Sequence, residues 1–249
     1  MASRIPEPQA FAEWGAESGL PTGAGVRRLL PVDIPQLIAL VEVALPDTMA
    51  ARLGRRFAVQ YFRGLLTEPA VHVDGYYHAG ELVGFIVYTA DVAAALRAVY
   101  VKHAARLTWA LLPALGSFAR IAFVARIAWA ILAGGREAGS EVPAELLSIG
   151  LLPAVRGKGP SATPVATPVA TALVDRACDN LALRGVAAVK VFCKDEALDP
   201  AANRFVRKMG FVAGGRVRRF GLDSILYLRT LTPPDTDRPT SADAGGAGA

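Results

Sequence analysis

The chain has 249 residues, of which 53% are hydrophobic, so it can bury a sizeable core in one large domain or two small ones, and a disordered chain is excluded. Its net charge of +5 suits an anionic ligand such as a nucleotide phosphate, whereas no basic and aromatic pattern indicates nucleic acid. The two cysteines and three histidines have no metal-ligand spacing, and the N-terminus lacks the apolar core of an export signal. We therefore expect a cytoplasmic protein without a metal.

The chain is predicted to open with a flexible leader, residues 1–25, because this stretch is rich in Gly, Pro, Ala and Glu without periodicity. The residue pattern then predicts a strand at Val26–Leu30, a helix at Ile34–Ala44 and a second helix at Met49–Leu66. Both helices carry an apolar face, which indicates that they pack on a shared core.

Two β-rich segments follow, Val71–Tyr77 and Glu81–Thr89, with a short turn at His78–Gly80 between them. Strand-forming residues on both sides of a glycine-containing turn predict a β-hairpin.

A long apolar segment, Asp91–Val142, is predicted as two helices, Ala93–Leu112 and Ser117–Leu132. Six basic and three acidic residues give it a net charge of +3. Its longest uncharged run, Leu107–Ala119, has 13 residues, short of the roughly 20 that a membrane span needs. The second helix is apolar nearly all round, so we expect it to be buried, to self-associate or to rest on a membrane surface.

The apolar run Glu145–Leu152 predicts a buried strand, and a basic turn containing glycines comes after it. Gly157 and Gly159 let a ligand approach the backbone, while Arg156 and Lys158 place positive charge beside it. Either the turn is a solvated loop or it binds a phosphate, to which the next helix would direct its N-terminal N–H groups.

The last third is predicted to alternate between helices and strands before a disordered tail at 232–249. The predicted elements are a helix at Pro168–Leu183, a strand at Val186–Cys193, a helix at Pro200–Met209, and strands at Phe211–Phe220 and Ser224–Thr230.

Strand, basic glycine turn and helix resemble the acetyl-CoA signature of the GNAT N-acetyltransferase superfamily, Arg/Gln-x-x-Gly-x-Gly/Ala. Arg156 and Gly159 match its first two fixed positions. The segment Asp199–Phe211 resembles a later helix of the superfamily, Asn-x-x-Ala-x-x-Phe-Tyr-x-x-x-Gly-Phe. The matching residues are Ala202, Phe205, Gly210 and Phe211.

The resemblance implies an α/β fold with a mixed, mainly antiparallel sheet whose central strands splay apart between flanking helices. The domain would cover residues 26–231, with 91–142 as a helical insertion. It also implies an acyltransferase that moves an acetyl group from acetyl-CoA, its co-substrate, to an amine by direct attack in a ternary complex. The implied cofactor-binding residues are Ile149, Gly150, Leu151, Arg156, Gly157, Lys158, Gly159, Ala170, Asp199 and Asn203.

The segment 160–168 enlarges the loop before the helix by about nine residues relative to the superfamily pattern. In the simple register the third position of the signature is Ser161. With the extra residues removed it is Ala170, which restores Gly-x-Ala, and we prefer this second register. Pro164 and Pro168 cannot both lie inside a regular helix, so Thr167 is the predicted N-cap.

The catalytic groups implied by the resemblance are Glu145 as the base, acting directly or through water, and the Leu151 N–H as a donor to the oxyanion. Glu145 can equally be an exposed carboxylate at the end of a strand. Val206 stands where the superfamily often has a Tyr that protonates the thiolate, so Cys193 or water would have to replace it. The alternative is a weak or inactive acyl-CoA-binding regulatory or membrane-associated protein.

The expected partner is a small-molecule or peptide amine acceptor, and not a nucleic acid. In the superfamily the loop between the first two helices helps to form the acceptor site, so Asp47 and Arg52 either contact substrate or are a cap and a solvated charge. We expect the 91–142 insertion to act as a lid over this side. The insertion can also contact the inner membrane surface peripherally, and the protein can form a homodimer; the sequence leaves both alternatives open.

Overall fold

A computed structural model of the chain describes residues 25–111, 141–156, 169–219 and 222–232. Within these residues the chain forms six α-helices and seven strands. In chain order they are β1 (Gly25–Arg28), α1 (Ile34–Ala44), α2 (Met49–Arg52), α3 (Arg55–Thr67), β2 (Val71–His78), β3 (Glu81–Thr89), α4 (Val92–Leu111), β4 (Glu145–Leu151), α5 (Val169–Leu183), β5 (Ala188–Lys194), α6 (Pro200–Lys208), β6 (Val212–Arg219) and β7 (Leu222–Thr230).

The strands form one open sheet in the order β1-β2-β3-β4-β5-β7-β6. All neighbouring strands are antiparallel except β4 and β5, which are parallel. The predicted α/β fold with a mixed, mainly antiparallel sheet is therefore confirmed.

Helices cover both faces of the sheet. On one face, called here the α3 face, α1, α3 and α4 bury residues such as Leu37, Phe62 and Val99 against β2 and β3. On the opposite face, the α5 face, α5 and α6 bury residues such as Leu173 and Val206 against the centre of the sheet. Each strand alternates between these two cores, which fixes the face on which each side chain lies.

Most predicted elements are confirmed with small shifts at their ends, but the helix predicted at Met49–Leu66 is wrong as a single helix. It is interrupted at Gly54, whose φ of +93° lies in the left-handed region that favours glycine. The interruption separates α2 from α3 and lets the chain turn before Arg55.

The predicted hairpin is confirmed as β2 and β3. Ala79 and Gly80 connect the strands with φ values of 50° and 80°. Positive φ at both central residues is the geometry of a two-residue hairpin turn that matches the twist of the flanking strands.

The first predicted helix of the insertion is confirmed as α4, which packs along α3. Ala95 and Val99 are fully buried in the core of the α3 face. The close approach depends on Gly64, where an added Cβ would lie 3.1 Å from both Val99 Cγ1 and the His103 ring. An ion pair of 2.6 Å between Lys102 Nζ and Glu68 Oε2 adds to this contact.

Several predictions lie outside the described residues: the leader at 1–24, the second insertion helix at Ser117–Leu132, the loop at 157–168 and the tail from 233 onward. In the parts of the chain that the structure describes, no helix has the length and apolarity to span a membrane.

Candidate functional site

The centre of the sheet opens between β4 and β5. Within the described residues these strands pair at two positions, Glu145↔Lys190 and Leu146↔Val191, next to a hydrogen bond of 3.0 Å from the Lys190 N–H to the Ala144 carbonyl. After Leu146 the two strands diverge, while β4 stays paired with β3 as far as Leu151. The predicted splaying of the central strands is therefore present.

Backbone polar groups of β4 face this gap. The Leu152 N–H donates to the Val83 carbonyl at 3.0 Å, so the alternation of a strand directs the backbone groups of Ile149 and Leu151 away from β3 and towards β5. Gly150 faces β3 instead, opposite Phe85. Ile149 and Leu151 thus present N–H groups to the gap, as expected for residues that bind an extended ligand.

A β-bulge lies at the inner end of this segment. Val87 pairs with Ser148 and Tyr88 with Leu146, which leaves Leu147 as the extra residue. Gly150 has a separate reason to lack a side chain, because a Cβ there would clash with the Phe85 ring.

The start of α5 lies beside the outer end of β4. A Cβ on Gly84 would be 2.7 Å from Leu151 Cδ2 and 2.9 Å from Val169 Cγ1, so this glycine allows the first turn of α5 to pack on the sheet. Val169 is buried and the predicted cofactor-binding residue Ala170 is half-buried beside it. This arrangement puts the N-terminal part of α5 where β4 and β5 are apart.

Arg156 joins the turn after β4 to α1. Its Nη2 donates to the Ala44 carbonyl at 2.6 Å and its Nε donates to the Leu151 carbonyl at 3.0 Å. The sequence predicts a phosphate-binding guanidinium here, whereas the structure shows one that holds two main-chain segments together. The other residues of the predicted phosphate turn, Gly157, Lys158 and Gly159, lie outside the described residues.

Glu145, the predicted base, lies where β4 and β5 still pair and is fully buried. Its Oε1 accepts a hydrogen bond of 2.5 Å from Nη1 of Arg219, the last residue of β6. The alternative prediction from the sequence, that Glu145 is an exposed carboxylate at the end of a strand, is therefore wrong. No local pattern in the sequence could identify Arg219 as part of the site, because the order of the strands in the sheet brings it to Glu145.

An aromatic ring packs against this ion pair on the α3 face. The guanidinium carbon of Arg219 lies 4.2 Å from the centroid of the Phe192 ring. Tyr61 of α3 lies within the electrostatic influence of both Glu145 and Arg219, and burial raises the pKa of its hydroxyl to about 12. The hydroxyl therefore stays protonated near neutral pH.

Asp199 and Asn203, predicted to bind the cofactor, anchor α6 in the structure. Asp199 is the N-cap, its Oδ1 accepting from the Ala202 N–H at 3.0 Å. Asn203 is fully buried; its Nδ2 donates to the carbonyls of Lys194 and Asp199 at 2.9 and 2.7 Å, and its Oδ1 accepts from the Tyr227 hydroxyl at 2.9 Å. The side chain of Asn203 is thus engaged within the protein.

Cys193, which was considered for protonating the thiolate, and Val206, which stands where the superfamily often has a Tyr, are both buried on the α5 face. Val206 packs in the hydrophobic core and has no proton to donate. Burial, with a smaller effect of Asp199, raises the pKa of the Cys193 thiol to about 12. A thiol of this kind is a poor acid toward the thiolate of an ordinary thiol, whose pKa is about 8.5.

Asp47, in the loop between α1 and α2, spans the outer part of the opening. Its carboxylate lies 3.4 Å from Lys194 Nζ at the end of β5 and 3.5 Å from Arg52 Nη2. The hydrogen bond from Lys194 is the main cause of a lowered Asp47 pKa. The loop predicted to contact the acceptor therefore reaches the second half of the sheet.

Among the described residues, no group of three or more His, Cys, Asp or Glu side chains could hold a metal ion. No family model matches the sequence, and no curated protein matches it.

Solved structures do match the fold. A polyamine N-acetyltransferase from Drosophila melanogaster has a TM-score of 0.55 and 12% identity, covering 84% of this chain and 100% of that one. A structure from Desulfovibrio desulfuricans assigned to the GNAT family of acetyltransferases has a TM-score of 0.51 and 16% identity, covering 84% and 99%. Arabidopsis thaliana NAA60, solved in complex with acetyl-CoA, has a TM-score of 0.50 and 16% identity, covering 83% and 98%. At these identities the likeness shows a common fold.

Proposed function

Since this chain has the GNAT fold, we propose that it is an acyl-CoA-dependent N-acyltransferase that transfers an acetyl group from acetyl-CoA to an amine. The observation that carries the proposal is the gap between β4 and β5, with the backbone groups of Ile149 and Leu151 directed into it. A pantetheine arm carries amides that need such partners, and a strand edge supplies them without a change of conformation.

The phosphate end of the donor would lie at the outer end of the gap. The turn Gly157–Gly159, with Lys158, and the start of α5 at Ala170 would bind the pyrophosphate. Arg156 would anchor the segment that leads into this turn, because its guanidinium donates to the carbonyls of Ala44 and Leu151. Its role in the proposal is to position the turn, so that a direct contact with phosphate is not required.

The chemical step would be a direct attack, in which the amine nitrogen forms the new C–N bond while the C–S bond breaks and the thiolate leaves. The Leu151 N–H lies at the outer end of the gap, so it would bind the pantetheine arm, while the thioester would lie further in, towards Glu145. Glu145 would take the amine proton through a water molecule, since Arg219 already donates to its Oε1. The thiolate would leave as the anion and take its proton from solvent, because a thiol of ordinary pKa, about 8.5, is a good leaving group, Val206 has no proton to donate and Cys193 is buried in the core of the α5 face.

The acceptor side would lie on the α3 face, next to the loop that carries Asp47 and Arg52. A positively charged acceptor could replace Lys194 at the Asp47 carboxylate, because that contact is exposed and solvent weakens an exposed ion pair. A small-molecule amine and a peptide N-terminus would both satisfy this arrangement.

A second candidate is a protein that binds acyl-CoA without efficient turnover. The observation that favours it is the buried, apolar Val206 at the position where the superfamily often has a Tyr acid. It keeps the proposed donor site and differs in the rate of the chemical step.

Two measurements on the full chain test the proposal. Calorimetry with acetyl-CoA tests donor binding, and thiol release in the presence of a panel of amines tests turnover. Binding with amine-dependent thiol release is expected for the enzyme, and binding without it indicates the second candidate. Absence of acetyl-CoA binding to a folded chain would contradict both.

A further inference from the structure

The inner end of the gap is closed by side chains on the α3 face. Val191 and Cys193 lie in the core of the α5 face, so the alternating residues Lys190 and Phe192 lie on the α3 face. Glu145 is on this face too, because the adjacent Leu146 lies in the opposite core. These side chains therefore lie at the positions where β4 and β5 are still paired.

Arg219 completes this closure from a distance. Its strand, β6, is separated from β5 by β7, yet its guanidinium lies over the Phe192 ring and binds Glu145. The side chains of Arg219 and Glu145 are 14% and 1% exposed, so the ion pair is largely buried. It connects the two halves of the sheet at the same place as the backbone.

The direction of the donor follows from the proposed function, on which this inference rests. The phosphate end lies at the start of α5, so the thioester enters between β4 and β5 from their carboxyl ends. The diverging part of β4, Leu147–Leu151, is about 16 Å long at 3.3 Å per residue. The acyl group therefore points towards the closed inner end.

We propose that Arg219 is a specificity-determining residue, which limits the donor to short acyl groups by closing the inner end of the gap. An acetyl group ends before the wall formed by Glu145, Phe192 and Arg219. A longer chain would have to displace the guanidinium from both the Phe192 ring and the Glu145 carboxylate, which would break a largely buried ion pair.

The test compares acetyl-, butyryl- and hexanoyl-CoA with the wild-type chain and three variants. Arg219→Ala opens the inner end, Arg219→Lys keeps a cation there, and Arg218→Ala is a control on the adjacent, exposed residue of the same strand. The ratio of the Kd for hexanoyl-CoA to that for acetyl-CoA, measured by calorimetry, needs no turnover. The same ratio in kcat/KM is measured wherever thiol release occurs.

We expect Arg219→Ala to shift the ratio towards hexanoyl-CoA by about tenfold or more, the scale on which pockets discriminate by chain length. Arg219→Lys should shift it less and Arg218→Ala should leave it unchanged. Phe192→Ala, which removes the ring beneath the guanidinium, should act in the same direction if Arg219→Ala does not fold. An unchanged ratio in a folded Arg219→Ala or Phe192→Ala variant overturns the inference.

Failure of the proposed function can be distinguished from failure of the inference about Arg219. If the wild-type chain prefers acetyl-CoA in binding and the preference falls in Arg219→Ala, but no amine gives thiol release, the enzyme assignment is wrong and the inference about Arg219 holds. If thiol release occurs with equal efficiency for acetyl and hexanoyl donors in the wild-type chain, the enzyme assignment holds and the inference is wrong.

Discussion

A buried polar cluster on the α5 face illustrates how single residues depend on their surroundings. The Tyr88 hydroxyl donates to Asp74 Oδ2 at 2.8 Å and accepts from Asn180 Nδ2 at 2.6 Å. The His72 ring stacks on the Tyr88 ring with 5.2 Å between centroids. Burial is the largest cause of a lowered His72 pKa, about 4, and the nearby Arg184 and Arg28 add to it.

The His72 pKa predicts a loss of stability in acid. The unfolded chain takes up this proton below pH 6.5 and the folded chain only near pH 4, so the free energy of unfolding should fall as the pH decreases through this window. Lowering the pKa from 6.5 to about 4 corresponds to about 3 kcal/mol at 1.36 kcal/mol per pKa unit, most of which is lost by pH 4.5. His72→Phe keeps the stacking and should reduce the loss, as measured by urea unfolding at pH 7 and pH 4.5. An equal loss of stability in the wild-type protein and in the His72→Phe variant would show that His72 does not cause the loss.

Val206 gives a second prediction at this scale. Val206→Tyr should overpack the core and lower stability by about 1–3 kcal/mol. If thiolate protonation limits turnover, the new hydroxyl should nevertheless raise kcat. Val206→Phe is the matched control, because it has nearly the same size and no proton to donate. Equal kcat values for the Tyr and Phe variants at every pH would exclude a missing acid at this position.

Sequence patterns could not predict the side-chain partners in the site. Glu145 was identified as a candidate, but its ion pair with Arg219 joins residues 74 positions apart and exists only because β7 pairs with both β5 and β6. Asn203 was likewise identified as a ligand, whereas its burial depends on how α6 packs against β5 and β7. Contacts of this kind follow from tertiary packing, which local propensity does not determine.

At the scale of elements, α6 shows how one side chain holds a helix on the sheet. Asn203 bonds to the last residue of β5 and to Tyr227 of β7, while Arg207 on the next turn of the helix donates to the same Tyr227 hydroxyl at 3.3 Å. The helix is short, so its position depends on these bonds as well as on its apolar residues.

Asn203→Ala should therefore lower the free energy of unfolding by about 1–3 kcal/mol, since it leaves buried partners without hydrogen bonds. Arg204→Ala on the exposed side of the same helix is the control and should change stability by less than about 0.5 kcal/mol. The measurement is chemical denaturation, with acetyl-CoA affinity determined in parallel. A large loss of affinity without a loss of stability would restore Asn203 as a ligand.

The sequence predicted element types and order well, because amphipathic periodicity, proline and glycine act locally. The hairpin of β2 and β3, the helices α1 and α4, and the buried strand β4 were all predicted close to their observed ends. The interruption at Gly54 was missed, because the apolar residues on both sides keep helical spacing and hide the turn.

At the scale of the whole molecule, the insertion is not a simple appendage. Its first helix, α4, contributes Ala95 and Val99 to the core of the α3 face and brings Tyr100 to within 6.4 Å of Tyr61, centroid to centroid. The same helix exposes Trp109, which is 76% accessible. A lid role, membrane contact and dimer formation remain predictions, because residues 112–140 lie outside the described part of the chain.

A chain in which a short linker joins Ala90 to Pro143 should be less stable than the full chain, because it uncovers the α3 surface that α4 buries. Thermal unfolding measures this, and the expected change is a clearly lowered Tm. A substitution of the exposed Trp109 by Ser in the full chain is the control and should leave the Tm nearly unchanged. A shortened chain with the original Tm would show that α4 is dispensable for the fold. Comparing its acceptor profile and its sedimentation with liposomes would then test the lid and the membrane contact.

The short pairing between β4 and β5 has a consequence for partial unfolding of the protein. With two register pairs between them, β1–β4 on one side and β5, β7 and β6 on the other are the natural units of partial unfolding, and their amide protons should exchange with solvent at different rates. A pantetheine arm bonded to Ile149 and Leu151 would supply rungs of the ladder that the protein lacks, acting as a temporary strand. Exchange in both units should then slow together, so that the sheet becomes continuous only while its substrate is in place.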